Sequence, residues 1–178
     1  MTKLDELVAQ ITREHVYIQT HNFPDPDAIA CAFAMQKLLQ TKGIASTICY
    51  RGRVDRYSTE KMCQYLGIDM MNIEDIADKL SLADEVILVD AQKGNSNIID
   101  IAGEEIICID HHPTFEEQKY RFSDLRPEVG ACASIMAEYF FENDIPVDEQ
   151  VATALTFGIR MDTKCLLRGA SKLDMEMM

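Results

Sequence analysis

Basic residues are scarce in this sequence. Its 178 residues include 17 lysines and arginines against 30 aspartates and glutamates, which gives a formal net charge of −13. Such a surface repels long phosphate backbones, so we expect no platform for duplex DNA. A small phosphorylated ligand held at a metal centre remains compatible with this charge, because bound cations invert the local field.

The sequence also lacks paired cysteines and long apolar runs. None of the six cysteines forms a CxxC or another close pair, and several lie inside apolar stretches, as buried reduced thiols do. Residues 1–12 carry charges throughout, without the apolar segment of a signal peptide. No apolar run approaches the length of a membrane span. We therefore expect a cytoplasmic protein that has no signal peptide and no contact with a membrane.

Strand-like and helix-like patterns alternate along the chain. Apolar or alternating runs predict strands at 16–20, 45–50, 85–90 and 105–110, with a short extended piece near 120–122. Helical spacing appears at 4–14, 28–42, 58–66, 73–80, 130–143 and 149–160, and again after Gly169. This alternation predicts an α/β fold in which a doubly wound, mostly parallel sheet carries helices on both faces.

Acidic and imidazole side chains follow three of the predicted strands. They are His21, Asp25 and Asp27 after the first strand, Asp90 after 85–89, and Asp110, His111 and His112 after Ile106–Ile109. Because the carboxyl ends of parallel strands meet along one edge of a sheet, we expect these groups to converge. A cluster of carboxylates and imidazoles without thiolate suits Mn²⁺, Mg²⁺, Fe²⁺ or Zn²⁺. Two ions about 3.5–4 Å apart would use all of these ligands.

Four segments resemble the successive motifs of the DHH phosphoesterases in order, spacing and strand-end position. They are His21-x-x-Pro24-Asp25-x-Asp27-Ala28, Val89-Asp90, Asp110-His111-His112 and Gly158-Ile-x-x-Asp162-Thr163. That superfamily includes RecJ-type nucleases, nanoRNA and phosphoadenosine-phosphate phosphatases, and family II pyrophosphatases. The resemblance covers roughly residues 10 to 170, so it implies the fold and the chemistry of the whole catalytic domain.

The resemblance implies a centre of two divalent metal ions, usually Mn²⁺. One ion would be held by His21, Asp25 and Asp90, and the other by Asp27, Asp90, His111 and Asp162, with Asp90 bridging. His112 would face the substrate phosphate, and Asp110 would orient a ligand imidazole. The catalytic residues predicted in this way are Asp90, Asp110 and His112.

The predicted function is metal-dependent hydrolysis of phosphoester bonds, in which two metals activate a hydroxide for in-line attack. The expected substrate is a short oligonucleotide or a nucleotide phosphate. Two alternatives stay open: an isolated metal-binding domain without turnover, and an enzyme acting on inorganic pyrophosphate. The oligomeric state also stays open, a homodimer included.

The domain organisation predicted from the resemblance is a DHH catalytic domain at 1–168. Residues 169–178 would then begin a helix or linker toward a C-terminal substrate-binding domain. DHH proteins generally carry such a domain with a glycine-rich, histidine-containing motif, which this sequence lacks. The unfinished helical pattern at Leu173–Met178 favours a piece of a longer protein over a reduced homologue.

Two further segments could contact phosphate. The small residues Gly130–Ser134 begin a predicted helix, whose free N–H groups either bind a phosphate oxygen or merely start the helix. Arg51, Arg53 and Arg56 form a basic group that either steers a phosphate or, as charge runs more often do, pairs with surplus acids.

Overall fold

The computed structural model describes residues 1–115 and 118–178. These residues form a parallel α/β domain with the element order α1 (Lys3–Val8), β1 (His15–Gln19), α2 (Pro26–Thr41), β2 (Ala45–Tyr50), α3 (Tyr57–Leu66), β3 (Met71–Asn72), α4 (Ile73–Ile76), β4 (Glu85–Val89), β5 (Glu104–Asp110), β6 (Phe122–Leu125), α5 (Cys132–Glu142), α6 (Glu149–Asp162) and α7 (Lys172–Met177). Within the described residues, no helix is long and apolar enough to cross a membrane.

The sheet has six strands in the order β3-β2-β1-β4-β5-β6, and every neighbouring pair is parallel. The chain moves outward from β1 to β3, returns to β4 beside β1, and moves outward again to β6. The strand order therefore reverses between β1 and β4, and in open α/β sheets ligands bind at the carboxyl ends of the strands at that point. The predicted doubly wound parallel sheet is confirmed.

Alternating residues of the strands bury the two faces of the sheet in separate apolar clusters. Ile18, Ile87 and Ile109 lie in the large core, which also contains residues from α1, α2, α3, α5 and α6. The opposite face is thinner: Cys49 packs with Ile73 and Ile76 of α4, whereas Leu88 and Cys108 pack with Ile98 and Ile101. Both faces are covered, so the central strand β4 is buried along its whole length, as the apolar run 86–89 predicts.

Three of the predicted elements have different bounds in the structure. Helix α1 ends at Val8 rather than near residue 14, because the backbone N–H groups of Thr12 and Arg13 donate to the Glu85 carboxylate. Helix α4 ends at Ile76 in a turn. Strand β6 lies at 122–125, two to three residues beyond the extended piece expected near 120–122, since its register pairs Ile107 with Phe122.

The buried carboxylate of Asp174 in α7 links this helix to α5 by hydrogen bonds. Asp174 is completely buried, and its Oδ2 accepts hydrogen bonds from Gly130 N at 2.9 Å and from Ser171 N and Ser171 Oγ at 2.6 Å. Its Oδ1 accepts a fourth from Ser134 Oγ at 2.6 Å. Gly130 permits this approach, because a Cβ there would lie 2.8 Å from Asp174 Oδ2. Residues 171–174 therefore belong to the packed domain.

Replacing Asp174 by alanine should lower the free energy of unfolding by about 2–4 kcal/mol, because it leaves buried donors without an acceptor. Burial opposes ionisation of Asp174, but the hydrogen bonds from Ser134 and Ser171 outweigh it and lower its pKa below the ordinary 3.8. A lowered pKa stabilises the fold above the ordinary pKa, and this stability disappears as the pH falls through the folded-state value. Urea unfolding should therefore show a large difference in stability between the variant and the unchanged protein at pH 7. The difference should be small at a pH below the folded-state pKa of Asp174.

The matched control is Glu176→Ala, which removes an exposed carboxylate from the same helix. It should unfold like the unchanged protein at both pH values, since exposed ion pairs contribute little. Equal stability of the Asp174 and Glu176 variants at pH 7 would contradict the assigned role of the buried carboxylate.

Candidate metal centre

The turn between β1 and α2 and the start of α2 contain three of the predicted ligands, His21, Asp25 and Asp27. Asp25 caps α2: its Oδ1 accepts hydrogen bonds from Asp27 N at 2.9 Å and Ala28 N at 3.1 Å. Pro26 is the first residue of the helix, where its fixed φ and missing N–H carry no cost. His21 Nδ1 donates to the Asn22 carbonyl at 2.9 Å, which leaves Nε2 directed at the carboxylates. The local sequence thus orients His21 and Asp25 together.

Asp27 is buried at the start of α2 and is held by the start of another helix. Its two carboxylate oxygens accept hydrogen bonds from Cys132 N at 2.8 Å and Ala133 N at 2.9 Å, in the first turn of α5. The partial positive charge of that helix end stabilises the carboxylate. The N–H groups of Cys132 and Ala133 are therefore engaged by Asp27, which favours the ordinary helix start over the phosphate-binding alternative.

Gly158 allows α6 to come close to Asp27. A Cβ at Gly158 would lie 3.0 Å from Asp27 Oδ1 and 3.2 Å from Ala133 Cβ. Asp162 lies one turn further along α6, at the last residue of the helix. The absence of a side chain at Gly158 therefore sets the distance between Asp27 on α2 and Asp162 on α6.

Asp90 follows β4 in the left-handed region, with φ 56°. Its backbone N–H donates to the Ile109 carbonyl at 2.9 Å, which fixes the turn against β5. Aspartate and asparagine adopt this region more readily than most residues. The turn directs the almost completely buried Asp90 carboxylate toward His21 on one side and His111 on the other.

Asp110 at the end of β5 orients His112. Its Oδ1 accepts hydrogen bonds from His112 Nδ1 and from His111 N, both at 2.8 Å, and its Oδ2 accepts one from Gln92 Nε2 at 2.7 Å. The family resemblance implies that Asp110 orients a ligand imidazole. Instead the ring of His111 is oriented by the Val129 carbonyl, 3.1 Å from its Nδ1. Asp110 therefore supports the histidine that is predicted to face the substrate.

The structure brings the six predicted metal ligands together. Asp90 Oδ2 lies 3.7 Å from His21 Nε2, which is 3.8 Å from Asp25 Oδ1. Asp90 Oδ1 lies 3.4 Å from His111 Nε2. His111 Nε2 is in turn 3.4 Å from Asp162 Oδ2 and 3.9 Å from Asp27 Oδ2.

These distances divide the side chains into overlapping groups whose ligand atoms lie within 4.8 Å of one another. The groups are His21, Asp25 and Asp90; Asp27, His111 and Asp162; and Asp90, His111 and His112. Asp90 contributes one oxygen toward each side, as the predicted bridging role requires. Which of these side chains bind an ion stays a prediction.

The charges of the cluster are poorly compensated without a cation. Burial, together with repulsion from neighbouring carboxylates, raises the pKa values of Asp27, Asp90 and Asp162. Burial disfavours the imidazolium forms of His21 and His111, but the adjacent carboxylates outweigh it and raise their pKa values to about 9 and about 10. The cluster therefore retains protons that a divalent ion could displace.

The donor set fits divalent metal ions. Asp90 Oδ1 and His111 Nε2 are buried and have no hydrogen-bond partner in the described part of the chain. Buried polar atoms normally find a partner, and a carboxylate oxygen facing an imidazole nitrogen suits a borderline or hard cation. The neighbouring thiol of Cys132 is no competitor, since burial raises its pKa to about 12 and keeps it protonated.

Sequence reasoning missed two parts of this site. Gln92 positions both Asp110 and the His112 carbonyl, the latter at 2.9 Å, and its only sequence signal is its place two residues after Asp90. Arg160, Lys164 and Arg168 line one cavity together with Asp162. The first two flank Asp162 at two residues on either side, a spacing that could have indicated them.

The three arginines of the predicted basic group have different surroundings in the structure. Arg51 Nε lies 3.8 Å from Glu74 Oε1, and Arg53 pairs with Asp55, so these two follow the expectation of pairing with surplus acids. Arg56 instead lines a cavity that also contains Asp25 and Asp162.

Comparisons with known proteins relate this chain to a family and to a fold. The sequence profile described as the DHH family, N-terminal domain, matches residues 15–159. An uncharacterised Methanocaldococcus jannaschii protein, MJ1633, is 40% identical over 159 residues, which cover 89% of this chain and 32% of that protein. A Streptococcus pyogenes protein named probable manganese-dependent inorganic pyrophosphatase is 31% identical over 150 residues, covering 82% and 47% respectively. The chain thus spans about a third of the first relative and about half of the second.

Two solved structures share the fold. An exopolyphosphatase-related protein from Bacteroides fragilis matches with a TM-score of 0.74 and 17% identity, covering 98% of this chain and 54% of that one. A Methanococcus jannaschii protein named as a candidate family II inorganic pyrophosphatase matches with a TM-score of 0.71 and 24% identity, covering 90% and 53%. At these identities the likeness concerns the fold, while the profile match covers most of the chain. The chain belongs to the DHH family through its N-terminal domain.

Proposed function

We propose that this chain is the catalytic domain of a Mn²⁺-dependent phosphohydrolase that cleaves inorganic pyrophosphate or a similar short polyphosphate. The observation that carries the proposal is a pair of buried ligand atoms, Asp90 Oδ1 and His111 Nε2, which lie 3.4 Å apart inside a ring of imidazoles and carboxylates. Neither atom has a hydrogen-bond partner in the described residues. The relatives named as manganese-dependent pyrophosphatases support the substrate. When bound, divalent ions supply a hydroxide at neutral pH and neutralise phosphoryl oxygens.

The protein's own groups have separable roles in this proposal. The side chains His21, Asp25, Asp27, Asp90, His111 and Asp162 would hold two ions, with Asp90 between them. The pKa of His112 is raised by its hydrogen bond to Asp110, so the protonated imidazole is more populated at neutral pH than in a free histidine. Because Nδ1 donates to Asp110, Nε2 is left to donate to a phosphoryl oxygen or to the leaving group. Asp110 and Gln92 hold it in place.

A cavity beside His112 supports a second candidate, a nucleotide phosphate. The cavity measures about 550 Å³ and is lined by residues 93–97, His112, Pro113 and Phe115. The Phe115 ring is 82% exposed, and an exposed aromatic face beside a phosphate site offers a stacking surface for a nucleobase. The polar side chains of Asn95 and Asn97 could bind base edges. This keeps the short oligonucleotide predicted from the sequence as an alternative substrate.

The testing experiment compares the two substrates under one set of conditions. Phosphate release from pyrophosphate and AMP release from 5′-phosphorylated diadenylate are followed with Mn²⁺, with Mg²⁺ and with excess chelator. We expect Mn²⁺-dependent phosphate release, abolished by chelator. Faster release of AMP, slowed by Phe115→Ala, would favour the nucleotide instead.

Direct titration of Mn²⁺ completes the test. Binding of two Mn²⁺ ions without turnover of either substrate would identify a metal-binding domain that lacks catalysis on its own. Failure to bind Mn²⁺ would contradict the dinuclear centre and with it the proposed chemistry.

A further inference from the structure

A second cavity adjoins the metal centre, and His112 is not part of its lining. It measures about 480 Å³, and its lining includes the predicted ligands Asp25 and Asp162. Four cationic side chains also line it: Arg56, Arg160, Lys164 and Arg168. In a chain of net charge −13, this concentration of positive charge next to two carboxylate ligands is unexpected.

These four cations have no acidic partner in the described part of the chain. Several other arginines do: Arg51 and Arg53 pair with acids, and Arg126 bonds both Asp124 and Glu138. Cations that line a concave wall without forming an ion pair raise the local concentration of anions. The cavity is therefore electrostatically suited to an anion.

The backbone that presents Lys164 is unusual. Lys164, Cys165 and Leu166 are three consecutive non-glycine residues in the left-handed region, with φ of 50°, 56° and 66°. Each costs about 1 kcal/mol or more, and such conformations persist where the surrounding structure fixes them and where function uses them.

Thr163 holds this turn in place through hydrogen bonds. It is completely buried, and its Oγ1 accepts a hydrogen bond from Leu166 N at 3.0 Å. Arg168 N donates to the Thr163 carbonyl at 2.9 Å, and Cys165 N donates to the Arg160 carbonyl at 2.7 Å. The Arg160 guanidinium also reaches back to Cys165 Sγ at 3.8 Å. The turn therefore holds Arg160, Lys164 and Arg168 on one wall of the cavity.

We propose that Arg56, Arg160, Lys164 and Arg168 bind a second phosphate group of the substrate, the one that is not attacked. This inference rests on the proposed function and narrows its substrate class to molecules with at least two linked phosphates. Three arginines and a lysine match the oxygens of a terminal phosphate, which arginine binds through paired N–H donors. The other phosphate would lie at the metal centre, beside the predicted ligands Asp25 and Asp162.

The experiment measures binding of imidodiphosphate, a non-hydrolysable analogue of pyrophosphate, to the Mn²⁺-loaded protein by calorimetry. We expect Arg168→Gln and Lys164→Gln each to weaken binding about tenfold, since each removes a charged hydrogen-bond donor. The affinity of the unchanged protein should also fall with added salt. Inorganic phosphate, which has no second phosphate group, should bind with nearly equal affinity to all variants.

The matched control is Arg53→Gln, which removes an exposed arginine outside the cavity. It should bind imidodiphosphate like the unchanged protein. Arg168→Lys should recover part of the affinity, because it restores the charge without the paired donors. A general effect of net charge would instead weaken binding equally in the Arg53 and Arg168 variants and would overturn the proposal.

A separate Mn²⁺ titration of every variant distinguishes failure of the proposed function from failure of the second phosphate site. If the unchanged protein binds no Mn²⁺, the proposed function fails. If Mn²⁺ binding and pyrophosphate hydrolysis are intact while the Arg168 and Lys164 variants bind imidodiphosphate normally, only the second phosphate site fails. Binding of a nucleoside diphosphate analogue with the same sensitivity to Arg168 would assign the site to phosphates carried by a nucleotide.

Discussion

Replacing Asp90 by asparagine is expected to lower metal-dependent hydrolysis by at least about 100-fold. Loss of residues that only support metal ligands already costs about 10–100-fold. Asp90 belongs to two of the three ligand groups of the centre. Asparagine is the appropriate replacement, because it tolerates the φ of 56° that Asp90 adopts, whereas alanine would add backbone strain. The loss can then be attributed to the carboxylate. The measurements are Mn²⁺ calorimetry and phosphate release.

In the metal-free protein, Asp90→Asn should not lower the thermal stability. The ligand oxygen of Asp90 lies within 4.8 Å of the ligand atoms of His21 and Asp25, in a largely buried cluster where like charges repel. Removing one buried negative charge should leave the metal-free protein at least as stable, while the rise in Tm caused by Mn²⁺ should shrink. Asp100→Asn, in an exposed loop, is the control and should change neither Tm value. A metal-free Asp90 variant that unfolds at much lower temperature would contradict this account.

Replacing Gly158 by valine is expected to damage both stability and activity. Even a Cβ would lie 3.0 Å from Asp27 Oδ1 and 3.2 Å from Ala133 Cβ, so α6 must move away from α2. Overpacking of this kind costs about 1–3 kcal/mol, which exceeds the gain of about 1 kcal/mol from removing a helical glycine. Asp162, one turn further along, would move with the helix, and a displacement near 1 Å can reduce the rate about 100-fold.

Ala152→Val provides the matched control on the same helix. Residue 152 is exposed, so the added methyl groups meet solvent rather than Asp27. Chemical unfolding and phosphate release should both remain close to those of the unchanged protein. Gly158→Ala should fall between the two variants. Full activity of Gly158→Val with normal stability would show that α6 does not set the position of Asp162.

The strand-end residues were predictable because their positions depend on local patterns and on one topological rule. Apolar runs such as Ile106–Ile109 indicate buried strands, and parallel strands bring Asp90 and Asp110 to one edge. The ordered motifs then identify the family. The fold class and the juxtaposition of the predicted ligands followed from these features.

The parts that could not be predicted depend on contacts between distant residues. No local pattern indicates that the first turn of α5 binds Asp27, because Cys132 and Ala133 contribute only backbone N–H groups. The wall formed by Lys164 and Arg168 depends on three left-handed residues that carry no glycine signal. Similarly, α1 is shortened by the Glu85 carboxylate, which no spacing within residues 4–14 indicates.

The first turn of α5 also has a consequence for folding. It supplies hydrogen-bond donors to Asp27, 105 and 106 residues earlier in the chain, and to Asp174 near the other end. If α2 packed before α5, a carboxylate would enter the core without donors, which is strongly unfavourable. Burial of α2 and α5 is therefore energetically linked, and contacts of such long range form slowly. The two helices should gain and lose amide protection against hydrogen exchange as one cooperative unit.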